Sequence, residues 1–150
     1  MQQLLRLFAV LSFSLASGVA GAAGSAQEEA NKKAVLEFYD LALNKKDFEA
    51  ASRYMGPRYT QHNPIAADGP EGLKGFLQFL RAKFPQAHSE IKRVFADGDY
   101  VILHVHAIRE PGTRGRAIID IFRLENGKVV EHWDVQQDVP EKAANSNGMF

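Results

Sequence analysis

Near residue 86 the hydrophobic period of this chain changes. Before that point apolar residues recur every three or four positions, the spacing of helices with one buried face; after it they alternate, the spacing of strands. Helices first and strands afterwards exclude an interleaved parallel architecture and predict an α+β domain, with three N-terminal helices packed on one face of a curved antiparallel sheet. A sheet that bends around its helices forms a cone-shaped barrel with a central pocket on the concave side, the place for a small ligand.

Ala30, Ala34, Leu36, Phe38, Leu41 and Ala42 mark the first helix, with Glu28 and Glu29 in its first turn, where the helix dipole favours acids. Asp47 caps a shorter helix, "FEAASRYM", which Gly56-Pro57 ends. "RYTQHNP" is a short extended piece and "IAADG" a loop. Pro70 opens the third helix, whose buried face is Leu73, Phe76, Leu77 and Leu80, with Pro85 past its end. Four strands then follow in meander order: "AHSEIKRVFAD", a turn at Gly98, "YVILHVHAIRE", a longer connection, "RAIIDIFRL", the Asn-Gly turn of "ENGK", and "VVEHWDVQQDV". The tail "PEKAANSNGMF" has no period.

Ahead of all this, Arg6, the apolar run "LFAVLSFSL" and the small residues of "ASGVAGAAGSA" have the layout of a secretory signal. Residues 1–25 are therefore set apart, with cleavage expected near Ala22 or Ala23, and residues 26–150 form a single domain. A periplasmic or secreted location and no stable membrane insertion after cleavage follow from that layout. With 18 basic and 18 acidic residues there is no basic footprint for nucleic acid, so the expected partner is a small molecule. The absence of cysteine removes thiol catalysis and zinc–thiolate sites. No phosphate-cradling glycine loop or nucleophile elbow is present either, and no cofactor is expected.

Asp120 is the residue out of place. It sits in "GRAIIDIFRL" between Ile118 and Phe122 on its own face and Ile119 and Ile121 on the other. A carboxylate there must be paired, hydrogen-bonded or partly protonated, because loss of water raises its pKa. An ion pair with an Arg or His of a neighbouring strand would satisfy it. His104 and His106 share a face of the preceding strand about 7 Å apart, and either could reach Asp120 if consecutive strands pair. A carboxylate beside an imidazole in an apolar pocket suits general acid–base chemistry. The two histidines with Asp120 would also make a two-imidazole, one-carboxylate metal set, a lesser alternative. On the last strand Trp133 reads as core or pocket wall, and the face of His132 and Asp134 as solvent-exposed. His62 and Asn63 could line the pocket mouth or satisfy loop backbone.

Taken together, "YTQHNP", "DGPEGL", "ADGDYVILHVH", "AIIDIFRLENGKVVEHWDV" and the terminal "NGMF" resemble the SnoaL-like group of polyketide-cyclase-related proteins, within the nuclear transport factor two-like superfamily. The likeness runs from about Ala30 to Phe150. It implies a cone-shaped α+β barrel with a deep pocket, a homodimer formed through the outer sheet face, and a cofactor-free intramolecular aldol condensation. By motif position it implies Asp120 as acid–base group and His106 as its neighbour. His104, Trp133, His62 and Asn63 would position the ligand. The expected activity is cofactor-independent acid–base chemistry on a small, partly apolar carbonyl compound, of lyase or isomerase type: aldol-type cyclisation or isomerisation, with hydration or dehydration also compatible. A non-catalytic exported module holding a small ligand in the same pocket is the alternative, and would lock Asp120 in a saturated ion pair.

Overall fold

The computed structural model describes residues 25–150. The secretory signal expected over residues 1–25 thus lies, but for Ser25, outside the described residues.

Helix α1 (Ala26–Tyr39) starts from a capping box, in which Ser25 accepts the Glu28 N–H while Glu28 accepts the Ser25 N–H. It then widens into one π turn, Asp40–Asn44. Asp47 caps α2 (Phe48–Ser52) by accepting the Ala50 N–H. That helix is shorter than its apolar pattern suggests, and Met55, Gly56 and Pro57 belong instead to strand β1 (Met55–Gln61). Proline is compatible with an edge strand, where a missing N–H breaks no ladder. Helix α3 (Gly69–Lys83) follows, with Leu73, Leu77 and Leu80 buried.

Strands β2 (His88–Asp97), β3 (Tyr100–Ile108), β4 (Arg116–Glu125) and β5 (Lys128–Asp138) form the expected antiparallel meander. The sheet has five strands in the order β1-β5-β4-β3-β2, and β1 runs parallel to β5. The short extended piece of the sequence is therefore a fifth strand, and the sheet is mixed. It curls around the helices without closing, since β1 and β2 remain as its two edges.

Cross-strand partners share a face, and the registers fix which residues look inward. Val101, Leu103 and Val105 of β3, Phe122 and Leu124 of β4 and Val129 of β5 bury against Val35, Phe38, Tyr39, Leu77 and Leu80 of the helices. Each such side chain stabilises the fold by about 2 kcal/mol relative to exposure. The opposite face carries Ile102, His104, His106, Ile119, Ile121, Trp133 and Val135, and Phe95, Ile119 and Val135 on it are exposed. The C-terminal Phe150 ring lies against this outer face, 4.4 Å from the His106 ring and 5.4 Å from that of His104. Among the described residues no helix is long and apolar enough to cross a membrane.

Candidate active site

Asp120 faces inward on β4. Its Cα partners are Leu103 on β3 and Asp134 on β5, so the inner face around it also carries His132 and Gln136. Tyr39 from α1, Tyr59 and Gln61 from β1, and Asn63 from the loop after β1 complete the surround. These groups bound a cavity of about 600 Å³ between the sheet and α3, whose remaining wall is largely apolar and includes Phe76, Phe79, Ile118 and Phe122.

One hydrogen-bond chain orders the polar end. The Asn63 N–H donates to Gln61 Oε1 at 2.9 Å, which makes that atom an acceptor. His132 Nδ1 lies 3.0 Å from the same oxygen and must therefore donate to it. His132 Nε2 in turn lies 3.0 Å from Asp120 Oδ1. With Nδ1 carrying a proton, a single further proton joins Nε2 to Oδ1: either Asp120 is the neutral acid and donates, or it is the carboxylate and accepts from imidazolium. Asp134 is held apart from this pair by the Asn63 amide, which donates to its two oxygens at 2.9 and 2.7 Å. The Asn63 carbonyl oxygen accepts the Ile65 N–H, which fixes the orientation of that amide.

Burial raises the Asp120 pKa above the ordinary aspartate value; the bond and charge of His132 pull it back, and the Asp134 charge pushes it up again. Its second oxygen, Oδ2, is buried without a hydrogen-bond partner among the described residues. The Tyr39 hydroxyl, on the Asp120 side of the cavity, adds a smaller downward pull on the Asp120 pKa, although it is not a hydrogen-bond partner of Oδ2. Burial, and then the Asp120 charge, push the phenols of Tyr39 and Tyr59 well above their usual range, so both stay protonated.

The arrangement differs from the sequence expectation in who stands beside Asp120. His106 pairs across from Ala117 and His104 from Ile119, which puts both on the outer face. His106 Nε2 bonds the Arg114 carbonyl at 2.8 Å, and His104 Nδ1 accepts from Arg93 at 2.9 Å. Neither meets Asp120, so the set His104, His106 and Asp120 is not assembled for a metal. Trp133 also faces outward, stacked 4.6 Å from the His62 ring, and His62 pairs with Glu131 at 2.8 Å. Neither lines the cavity, whereas Asn63 does. His132 and Asp134, expected to face solvent, face inward, and His132 is only 8% exposed.

A bulge explains the exchange. Counted straight back from the Asn126-Gly127 turn, the closing pairs Glu125–Lys128 and Leu124–Val129 would put Trp133 opposite Asp120. The register slips by one between Arg123 and Leu124, leaving Val129 and Val130 both fully buried and bringing Asp134 opposite Asp120. One residue of slip moves every later side chain to the other face.

Asp120, His132 and Asp134 present ligand-type atoms within 4.8 Å of one another. A divalent cation there would have to displace the bonds that Asn63 and Gln61 make to Asp134 and His132.

Residues 35–132 match the family profile of the SnoaL-like domain, and the chain belongs to that family. Among solved structures, it is similar to a protein from Jannaschia sp. CCS1 assigned as a SnoaL-like polyketide cyclase, with 22% identity and a TM-score of 0.64 over 77% of this chain and 91% of that one. A protein assigned as a polyketide cyclase from Bacillus cereus ATCC 10987 shares 23% identity and a TM-score of 0.62, covering 71% and 74% respectively. A nuclear transport factor two-like protein of unknown function from Cytophaga hutchinsonii ATCC 33406 shares 20% identity and a TM-score of 0.60, covering 71% and 89%. At these identities the likeness concerns the fold. Comparison with curated proteins finds no match.

Proposed function

We propose that the protein is a cofactor-independent acid–base enzyme acting on a small, partly apolar carbonyl compound, with Asp120 as the proton-transferring group and His132 as its partner. The observation that carries this reading is the state of Asp120: a buried carboxyl in the wall of an apolar cavity, one oxygen sharing a proton with His132 and the other unpartnered. The assignment of similar folds as polyketide cyclases supports it.

As a carboxylate, Asp120 takes a proton from the carbon next to a carbonyl; the C–H electrons move into the C–C bond and the carbonyl oxygen becomes an enolate. The phenols of Tyr39 and Tyr59, held in the protonated form, supply donors for that oxygen. Returning the proton to a different carbon completes an isomerisation; in an aldol cyclisation the enolate carbon attacks a second carbonyl, whose π electrons move onto its oxygen, and that alkoxide takes the proton back from Asp120. His132 stabilises the carboxylate by donating from Nε2 to Oδ1, which leaves Oδ2 to take the substrate proton. The binding-module alternative needs Asp120 saturated by partners, which its free Oδ2 does not support.

The test is proton–deuterium exchange at the α-carbon of simple aryl ketones, acetophenone and indanone, followed by NMR in heavy water. Exchange by the wild-type protein and its loss in Asp120→Asn are expected. Equal exchange by the two proteins removes Asp120 from the chemistry. The homodimer expected through the outer face finds support in the exposed Phe95, Ile119 and Val135, and sedimentation velocity checks it. Amino-terminal sequencing of protein recovered from the periplasm or medium checks the proposed export and cleavage.

A further inference from the structure

Arg109 stands just past the end of β3 and continues its inward series, Leu103, Val105, Ala107, Arg109, so that it lines the cavity far from Asp120. Its guanidinium lies 5.9 Å from the ring centroids of both Phe76 and Phe84. The other arginine at this end, Arg116, is occupied, donating to Asp138 at 2.7 Å and Gln136 at 2.8 Å. Arg109 has no carboxylate within ion-pair distance among the described residues. Of the other ionisable groups at the cavity wall, Glu71 is directed to Lys74, and His88 is exposed.

A guanidinium half-removed from water and left without a counter-ion is costly unless an anion completes it. Burial already opposes its charge, and Arg116 adds repulsion. Held against two aromatic faces, its planar fork is presented for the two parallel hydrogen bonds that a carboxylate accepts.

We propose that Arg109 anchors a carboxylate of the substrate, so that the pocket takes an elongated, largely apolar carboxylic acid whose reacting carbonyl lies at Asp120. The substrate class rests on the acid–base reading of Asp120; the anchor itself does not. Leu103 is the cross-strand partner of Asp120, and Arg109 lies six residues further along. That is a backbone span of roughly 20 Å on an extended strand, shortened by the side chains that reach inward. A molecule touching both ends is longer than one ring.

The probe is a biphenyl with an acetyl group at one end and a carboxylate at the other, compared by calorimetry with its methyl ester. Wild-type protein is expected to bind the acid about tenfold or more tightly than the ester, the scale of a charge-assisted hydrogen bond. That preference should shrink as salt is raised. Arg109→Met should lose the preference while its ester affinity stays within about twofold of wild type, which reports an intact pocket, and Arg109→Lys should keep part of it. Equal affinity of wild type for acid and ester, no measurable binding of the acid, or an undiminished acid preference in Arg109→Met overturns the anchor. Asp120→Asn separates the two proposals. If acid binding depends on Arg109 but acetyl-methyl exchange does not depend on Asp120, the acid–base reading fails and the anchor stands; the converse result sinks the anchor alone.

Discussion

His132 Nε2 lies 3.0 Å from Asp120 Oδ1, and the other ring nitrogen of His132 is committed as a donor to Gln61. The contact between them therefore carries a single proton, on Asp120 or on Nε2.

Asp120→Asn should abolish proton transfer, a loss of about a hundredfold or more, without loss of stability at neutral pH. The amide can donate to His132 Nε2 in place of the shared proton. The folded-state pKa of Asp120 is raised, so its contribution to stability is fully present below the unfolded aspartate value, about 3.9, and is lost as pH rises through the folded value. Wild type therefore gives up this contribution as pH rises, and the amide variant, which has no proton to lose, does not. Thermal unfolding of the two proteins across that range should show the variant gaining relative to wild type as pH rises; a gap that narrows instead would contradict the assignment.

Removal of His132 should move Asp120 further in the direction it is already displaced. The imidazole is the main influence lowering the Asp120 pKa, and in His132→Phe desolvation and the Asp134 charge, which raise it, are opposed only by the smaller effect of the Tyr39 hydroxyl. Carbon-13 titration of the Asp120 carboxyl should show a higher midpoint than in wild type, and the acid limb of the exchange rate should shift upward with it. An unchanged midpoint would mean that the two groups do not share a proton.

His106→Phe tests the placement against the family expectation. The side chain lies on the outer face, bonded to the Arg114 carbonyl and packed on Phe150. Its loss should cost about 1 kcal/mol of stability and leave α-proton exchange within about twofold of wild type. A hundredfold fall in exchange with unchanged folding would return His106 to the mechanism.

The order of elements was legible because hydrophobic period and turn chemistry are local: the helix face of Leu73, Leu77 and Leu80 and the Asn126-Gly127 turn can be read without knowing what they pack against. Asp120 stood out for the same reason, as a charge between apolar neighbours on its own strand. Its partner did not, because partnership depends on register between strands, and the bulge between Arg123 and Leu124 exchanges the faces of Trp133 and His132. Nor does the seven-residue connection between β3 and β4 fix their register, so the inward face of Asp120 could be paired with the wrong face of β3. Tyr39 and Gln61 enter the site from elements far away in sequence, and Gln61 comes from a strand parallel to β5, a pairing that no hairpin announces. Arg109 carried a faint signal, as the next inward position after Leu103, Val105 and Ala107.

Gly72 ties the helix layer to the polar end of the pocket. It lies in the first turns of α3 beneath the loop over residues 62–68, and a Cβ there would fall 2.1 Å from the Ala67 oxygen and 2.6 Å from its carbonyl carbon. Both contacts are to backbone, which cannot rotate away, so Gly72→Ala has to lift the loop. Asn63, which donates to Asp134, belongs to that loop, and its neighbours Ile65, Ala66 and Ala67 wall the cavity. The substitution should destabilise the fold by about 1–3 kcal/mol, as overpacking does, despite the better helix propensity of alanine. It should also weaken binding of the acetyl-biphenyl acid, whereas Gly75→Ala, where a Cβ meets nothing within 4 Å, should be neutral or slightly stabilising in the same assays. Denaturant unfolding and calorimetry on the two variants check the contrast, and equal behaviour of both would show that the loop does not rest on Gly72.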